Sequence, residues 1–257
     1  MQMIMKNKIV IVCCLAILLT SFTFVNKKVP NPNLLMPPLV SPIQVDGILR
    51  LNKTAIENFR GQSVYTNYFL VQTIFPNDTM GVLSFLNRQY AGVVNLNNNP
   101  VHYYDNITFY ADTTFDLSNA NGFYWNVEGS STVSPFTYVN TNPFPSFIYD
   151  NNNFPTSIDT SQDLQITLKG ILHADSVLIT INRSDSVGRP PFIVKSFSVN
   201  ATTFVIEKQL LKQYNLGQTL NFQIELSNYN NQTISGKNYY FINSFDYRKK
   251  VTIQPQN

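Results

Sequence analysis

Apolar and polar residues alternate in short segments over most of the chain, a pattern typical of strands that are half-buried in a sheet. Between Gly122 and Val127, for example, Phe123, Trp125 and Val127 fall on one side of an extended chain. Asn, Pro, Gly and Asp separate these segments as turn formers. The pattern predicts strands at residues 64–75, 90–96, 101–104, 107–111, 122–127, 164–168, 176–181, 192–199, 203–206, 220–226 and 239–242.

One stretch, residues 207–214, has apolar residues at helical spacing, and Gly217 is its predicted C-terminal cap. The chain is therefore predicted to be all-β with one short helix. Prolines at 135, 143, 145 and 155 should interrupt strand pairing around them. We predict two β-sandwich domains, at 44–150 and 156–253, preceded by a Pro-rich extended lead-in at 29–43.

The first 28 residues have the order of an export signal. Lys6 and Lys8 precede an apolar run at 9–25, and polar residues follow it. Small residues suited to cleavage occur only as Ser21 and Thr23, so a cleaved signal peptide, an uncleaved anchor and a lipidated cysteine all stay open. We expect a secreted or cell-surface protein, with membrane contact only if residues 9–25 are retained.

The amino-acid composition excludes several kinds of site and partner. Both cysteines, Cys13 and Cys14, lie in the leader, so disulfides, thiolate nucleophiles and Cys-ligated zinc are excluded for the rest of the chain. The net charge of +3 is too small for nucleic-acid binding, and the leader contributes part of it. The basic run 248–250 is expected to be a solvated cluster on an edge strand that discourages aggregation.

The second predicted domain shows a distinctive order of elements. A strand at 175–181 is followed by a Leu-containing corner at 210–217 and then by a strand at 220–226. In this order, residues 156–253 resemble an immunoglobulin or fibronectin type III sandwich. The resemblance implies that Leu168 replaces the early core Trp of that fold, and that Tyr214 or Phe222 takes the place of its corner Tyr.

The exported chain as a whole is also similar to uncharacterised secreted bacterial proteins with such modules. The similar segments are the strands at 122–129 and 236–241, each of which begins with a glycine. This similarity implies a location outside the cytoplasm and supplies no function.

Catalytic constellations are scarce in this sequence. The histidines are His102 and His173. His173, Asp175 and Ser176 lie close along one strand, but neighbouring positions on a strand do not converge on a single reacting atom. No Gly-x-Ser-x-Gly nucleophile elbow occurs. We therefore predict a protein that is not an enzyme and has no cofactor.

Metal binding is not predicted either. Two isolated histidines and a cysteine-free mature chain cannot form the usual zinc sites. Residues 116–122 loosely resemble a calcium loop, but their glycine is one place late and no Glu closes the loop. Asx turns explain this segment and the other Asp- and Asn-rich segments.

Aromatic residues offer the remaining candidates for binding. Tyr103, Tyr104 and Tyr124 would form a flat surface for a sugar or a peptide if they were exposed together. Glu128 beside Trp125 is the most suggestive carboxylate for glycan hydrolysis, although the alternation of residues 123–127 places Trp125 in the core.

These observations favour an exported, non-catalytic β-sandwich protein that serves in cell-surface binding, adhesion or assembly. Its partner would be an unknown extracellular protein or glycan. Two alternatives stay open: an extracellular glycan-acting hydrolase and a membrane-tethered structural subunit. A pair of facing carboxylates about 5 to 10 Å apart would favour the hydrolase.

Overall fold

A computed structural model describes residues 45–57, 63–76, 88–105, 109–117, 120–148, 154–183 and 192–254. The predicted leader at 1–28 and the lead-in at 29–43 lie outside the described residues. Within them the chain is an all-β sandwich fold with one short helix, as the sequence predicts. None of the described residues forms a helix that is long and apolar enough to cross a membrane.

Each predicted segment overlaps a strand, but the strands that contain 220–226 and 239–242 are much longer than predicted, those within 90–96 and 101–104 are shorter, and several strands were not indicated by the sequence pattern. Their bounds are β1 Gly47–Glu57, β2 Ser63–Ile74, β3 Val94–Leu96, β4 Asn99–Pro100, β5 Tyr103–Tyr104, β6 Phe109–Asp112, β7 Phe123–Val127, β8 Phe136–Asn140, β9 Ser146–Ile148, β10 Ser157–Asp159, β11 Leu164–Thr167, β12 Lys169–Leu172, β13 Ser176–Arg183, β14 Phe192–Ser198, β15 Thr203–Ile206, β16 Thr219–Ile234 and β17 Lys237–Gln254.

The helix, α1, spans Lys208–Leu211, inside the predicted segment 207–214. The predicted cap at Gly217 is wrong, because Lys212 is the C-cap of this helix. Gly217 adopts a left-handed φ of 78° further along, where its backbone N–H donates to the carbonyl of Ile253. Its glycine conformation therefore serves the connection to β16.

A nine-stranded sheet forms the frame of the molecule. Its strand order is β14-β13-β16-β17-β1-β2-β6-β5, and β10 also pairs with β17. The long strands β16 and β17 form an antiparallel hairpin through the turn residues Ser235 and Gly236, which have φ values of 53° and 76° as a type I′ turn requires. β1 lies parallel to β17 on the other side.

The described residues also form three smaller sheets, with the pairings β4-β3-β7-β8, β11-β15 and β12-β9. The four-stranded sheet begins with a tight hairpin in which Asn97 and Asn98 have φ values of 47° and 64°. These two residues form the turn after the predicted strand 90–96, and β4 takes the next two residues.

One face of the large sheet is apolar and packs against two hydrophobic cores. The first, which we call the Trp125 core, includes Trp125 of the four-stranded sheet together with Leu49, Phe69 and Phe241 of the large sheet. Trp125 is 1% exposed, which confirms its predicted burial. The second, the Tyr214 core, includes Tyr214 beside α1 and the alternating β16 residues Leu220, Phe222, Ile224 and Leu226.

β17 contributes to both cores. Phe241 lies in the Trp125 core, whereas Tyr247, Val251 and Ile253 lie in the Tyr214 core. Strands from both sides of the predicted boundary at 150–156 therefore share one sheet, and Ala55 of β1 belongs to the Tyr214 core. The division into two domains stays a prediction.

An amide network occupies the junction between the two cores. Asn140 donates to Asn243 at 3.3 Å, Asn142 donates to Asn228 at 2.6 Å, and Asn230 donates to the hydroxyl of Tyr138 at 2.8 Å. These bonds tie β8 to the β16–β17 hairpin. Because Asn140 and Asn243 are buried, their hydrogen bonds remove the cost of burying polar groups there.

The basic run 248–250 does not lie on a sheet edge. β17 has β16 on one side and β1 and β10 on the other, and Lys249 is buried. The expected edge position is therefore wrong, although Arg248 and Lys250 are exposed, as expected of a solvated cluster. The reason is long-range pairing, since β1 lies almost two hundred residues before β17 and covers its free side.

The hydroxyl of Tyr214 should contribute measurably to stability. It is buried and donates to the carbonyl of Ile181 at 2.8 Å, joining the helix connection to β13. We expect Tyr214→Phe to lower the free energy of unfolding by about 1 to 2 kcal/mol in urea denaturation, because a buried hydrogen bond is lost. Tyr124→Phe is the matched control and should unfold like the wild type. Equal stability of all three proteins would contradict this role.

Candidate functional site

A cluster of three tyrosines lies where the edge of the large sheet meets the four-stranded sheet, and we call it the tyrosine cluster: Tyr90, Tyr103 and Tyr110. Tyr110 forms its floor and is 1% exposed. The Tyr110 hydroxyl donates to the carbonyl of Gly92 at 2.6 Å and accepts from the backbone N–H of Ala91 at 2.9 Å. These two bonds fix the ring, and burial raises the pKa of this phenol well above its ordinary value.

Tyr90 lies over this floor and is 46% exposed. Its ring centroid is 4.9 Å from that of Tyr103 and 6.4 Å from that of Tyr110, to which it is nearly parallel. Tyr103 and Tyr110 face each other across β5 and β6 at 4.7 Å. The cluster therefore presents one accessible ring on a base that hydrogen bonds and packing hold in place.

The three tyrosines singled out in the sequence lie on different surfaces. Tyr103 packs against the Trp125 core, and Tyr104, the next residue of β5, points to the other face of the sheet. Tyr104 contacts the ring of His102 at 4.4 Å. Tyr124 lies on the outer face of the four-stranded sheet, opposite Val139. The structure therefore does not bring the three together, and Tyr103 alone joins the tyrosine cluster.

A second polar constellation lies on the face of the large sheet opposite the cores, and we call it the charge cluster: Arg50, Glu225, Asp246 and Arg248. The Arg50 guanidinium is 2.8 Å from a carboxylate oxygen of Glu225, and its Nε donates to Ser244 Oγ at 3.1 Å. Ser227 Oγ donates to the same Glu225 oxygen at 2.9 Å. Glu225 is thus held by a cation and a hydroxyl.

Asp246 is the most deeply buried member of the charge cluster, with no exposed surface. Arg248 Nε donates to Asp246 Oδ2 at 2.7 Å. Strand register places Asp246 directly opposite Glu225, so two carboxylates stand side by side on adjacent strands. Like charges in that position repel each other, and the two arginines offset this repulsion.

The surroundings of the charge cluster shift the pKa values of its members. Burial lowers the pKa of Arg50, but Glu225 and other neighbours offset this and raise it above its ordinary value. Burial raises the pKa of Asp246, and the Glu225 charge raises it further, while Arg248 opposes both. Burial also raises the pKa of Tyr229, whose hydroxyl is 3.1 Å from Ser176 Oγ.

The residues considered for nucleophilic catalysis have structural roles. Asp175 accepts the backbone N–H of Tyr229 at 2.7 Å, and Ser176 shares a hydrogen bond with the hydroxyl of the same tyrosine. His173 occupies a left-handed conformation with φ of 57° just before them. Their contacts position β13 against β16 and do not form a nucleophile with its base.

The carboxylates considered for glycan hydrolysis and the possible metal ligands can also be located in the structure. Glu128 is exposed, while its neighbour Trp125 is buried and cannot stack on a ligand. Within the part of the chain that the structure describes, no group of three His, Cys, Asp or Glu residues could hold a metal ion. Glu225 and Asp246 do face each other, but each is bound to an arginine, and Asp246 is inaccessible.

No protein-family model matches the chain, and comparison with curated proteins finds no significant match.

Apart from Arg248, which belongs to the basic run 248–250, neither the members of the charge cluster nor Tyr90 were singled out in the sequence. Tyr90 opens the predicted strand 90–96 and gave no sign that its ring stays accessible. The charge cluster is assembled from β1, β16 and β17, and its members look like ordinary solvent-facing residues of alternating strands. The pairing of distant strands determines both groups.

The Arg50–Glu225 pair should stabilise the fold. We expect Glu225→Gln to lower the free energy of unfolding by about 2 kcal/mol, because Arg50 loses a charged hydrogen-bond partner in a largely buried position. Urea denaturation at neutral pH measures the change. Glu207→Gln is the matched control, since its pair with Lys195 is exposed and should contribute little. A Glu225 variant as stable as that control would show that the pair is dispensable.

Proposed function

We propose that this chain is an exported, non-catalytic β-sandwich protein that binds a glycan at the cell surface through the tyrosine cluster. The leader at 1–28 supports export, and the order of its charged, apolar and polar regions is the reason. The main support for binding comes from the position of Tyr90. Tyr90 keeps 46% of its surface accessible although two other tyrosines hold its ring.

A fixed and accessible ring is favourable for binding. Tyrosine presents a large, flat apolar face with a polar tip, and it loses little conformational entropy on binding. In the tyrosine cluster that entropy is already largely lost, because Tyr103 and Tyr110 hold the ring before any ligand arrives. A sugar ring offers a flat C–H face to the aromatic ring and hydroxyls at its rim for neighbouring polar groups.

The second half of the chain supports a role as a binding module. We propose that it is an immunoglobulin- or fibronectin type III-like sandwich. β13, β14, β16 and β17 lie in one sheet, β11 and β15 lie in the other, and Tyr214 is hydrogen-bonded at the corner before β16. Such modules present loops and edges to partners, and the fold alone implies no reaction.

The hydrolase alternative has weaker support. Its best carboxylate pair, Glu225 and Asp246, is bound by Arg50 and Arg248, and Asp246 has no surface at which a glycosidic bond could be protonated. The exposed carboxylate Glu128 stands beside a buried Trp. A non-catalytic binding role agrees better with these positions.

The test is binding of the full chain to a panel of immobilised glycans, followed by titration of the strongest ligand. We expect Tyr90→Ala to weaken the affinity about tenfold, equivalent to about 1.4 kcal/mol, because the accessible ring is lost. Leu216→Ala is the matched control, since Leu216 is 63% exposed on the connection between α1 and β16. It should bind like the wild type.

Equal affinities of Tyr90→Ala and the wild type would remove the tyrosine cluster from the proposal. If no glycan binds, and a pull-down instead recovers a protein that Tyr90→Ala fails to retain, then the ligand class is wrong and the cluster serves a protein partner.

A further inference from the structure

Within the part of the chain that the structure describes, two buried oxygen atoms on the sheet face that holds the charge cluster have no hydrogen-bond partner. They are Asp246 Oδ1 and Asn52 Oδ1. Asp246 is fully buried and Asn52 is 5% exposed, so neither is well placed to exchange a hydrogen bond with bulk solvent. A buried acceptor without a donor costs about 1 to 3 kcal/mol, and two such atoms in one place require an explanation.

The two oxygens lie on the same face of adjacent parallel strands. In the pairing of β1 with β17, Asn52 is the partner of Ser244, and Thr54 is the partner of Asp246. Asn52 and Asp246 are therefore diagonal neighbours: they lie on adjacent strands and are offset by two residues along the strand direction. Side chains in this arrangement lean along the strand direction over a common patch of the sheet.

Neither oxygen can donate while Asp246 is ionised. A carboxylate accepts only, and the amide oxygen of asparagine also accepts only. A single proton removes both deficits, because a protonated carboxyl group donates through its O–H. We infer that Asp246 carries a proton on Oδ1 in the folded protein and donates it to Asn52 Oδ1, so that this face of the sheet contains a pH-sensitive bond.

Among the charges around Asp246, that of Glu225 favours this assignment and raises the pKa of Asp246, whereas those of Arg248 and Arg50 oppose it. Glu225 faces it directly from β16, and Arg50 on β1 already pairs with Glu225. The remaining charged neighbour is Arg248, which contacts Oδ2 and can still donate to that atom when it is the carbonyl oxygen of a neutral acid. On the far side of Glu225, β13 presents the uncharged Leu178.

Protonation leaves Glu225 as the one anion of the pair and ends the repulsion between two carboxylates on adjacent strands. Burial acts in the same direction and raises the pKa of Asp246. Tyr229, further along β16, stays neutral because burial raises the pKa of its phenol.

The contribution of Asp246 to the free energy of unfolding should decrease as the pH rises. In the unfolded chain Asp246 has an ordinary pKa of about 3.9, and in the folded protein its pKa is higher. The folded state therefore binds the proton more tightly than the unfolded state does. The stabilisation is complete below the unfolded pKa and is lost as pH rises through the folded pKa.

The direct measurement is the carboxyl carbon-13 chemical shift of Asp246 in the full chain, followed by NMR between pH 3 and pH 8. We expect its titration midpoint to lie at least one pH unit above that of the same residue in urea-unfolded protein. Asn52→Ala should shift the midpoint downward, because the acceptor of the proton is gone. Asn95→Ala on the four-stranded sheet is the matched control and should leave it unchanged.

A midpoint at or below that of the unfolded chain would overturn the inference, as would an Asn52→Ala midpoint equal to that of the wild type. Should Asn52→Ala fail to fold, Asp246→Asn supplies a permanent N–H donor in place of the proton. Its urea midpoint should then fall less steeply than that of the wild type as pH rises from 4 to 8. Parallel pH profiles of the two proteins would also overturn the inference.

Discussion

The hairpin of β16 and β17 is the element on which the rest of the fold depends. Its two strands pair over sixteen registered positions and run past both hydrophobic cores. Alternation gives each strand one apolar face, and on β17 that face meets the Trp125 core near Phe241 and the Tyr214 core from Tyr247 onward. The four-stranded sheet and the β11–β15 sheet therefore belong to different cores that share β17.

The opposite face of these strands contains buried polar and charged side chains. Five polar or charged side chains on this face are buried: Asn52 and Thr54 of the adjacent β1, Ser227 of β16, and Ser244 and Asp246 of β17. Buried charges are tolerated when they are paired and hydrogen-bonded, as Arg50 and Glu225 are. The tyrosine cluster, with Tyr90 as its accessible ring, lies at the far edge of the sheet, where β5 ends it.

Local pattern was sufficient to predict much of the fold. The alternation of residues 123–127 predicted the burial of Trp125, and the spacing of residues 207–214 located the helix, because both depend on neighbouring residues. The parallel pairing of β1 with β17 depends on residues far apart in the chain, and it carries no local signal. For that reason the run 248–250 was wrongly expected at an edge.

The candidate sites were harder to predict for the same reason. Tyr103, Tyr104 and Tyr124 were chosen as tyrosines in strands, but their faces depend on which sheet each strand joins. Tyr90 became a candidate only when β5 and β6 placed two rings beside it. Asp246 looks solvated in the sequence and is buried in the fold.

Because β16 and β17 run past both cores, the two cores should unfold together, and the single Trp provides a direct test. Phe204 lies on β15 in the Tyr214 core, away from Trp125, and Phe204→Ala should cost about 3 to 5 kcal/mol. Urea unfolding is followed by Trp125 fluorescence and by far-UV circular dichroism. We expect one transition with both probes, shifted equally by Phe204→Ala. A fluorescence midpoint that stays at its wild-type value while the dichroism transition shifts would contradict it.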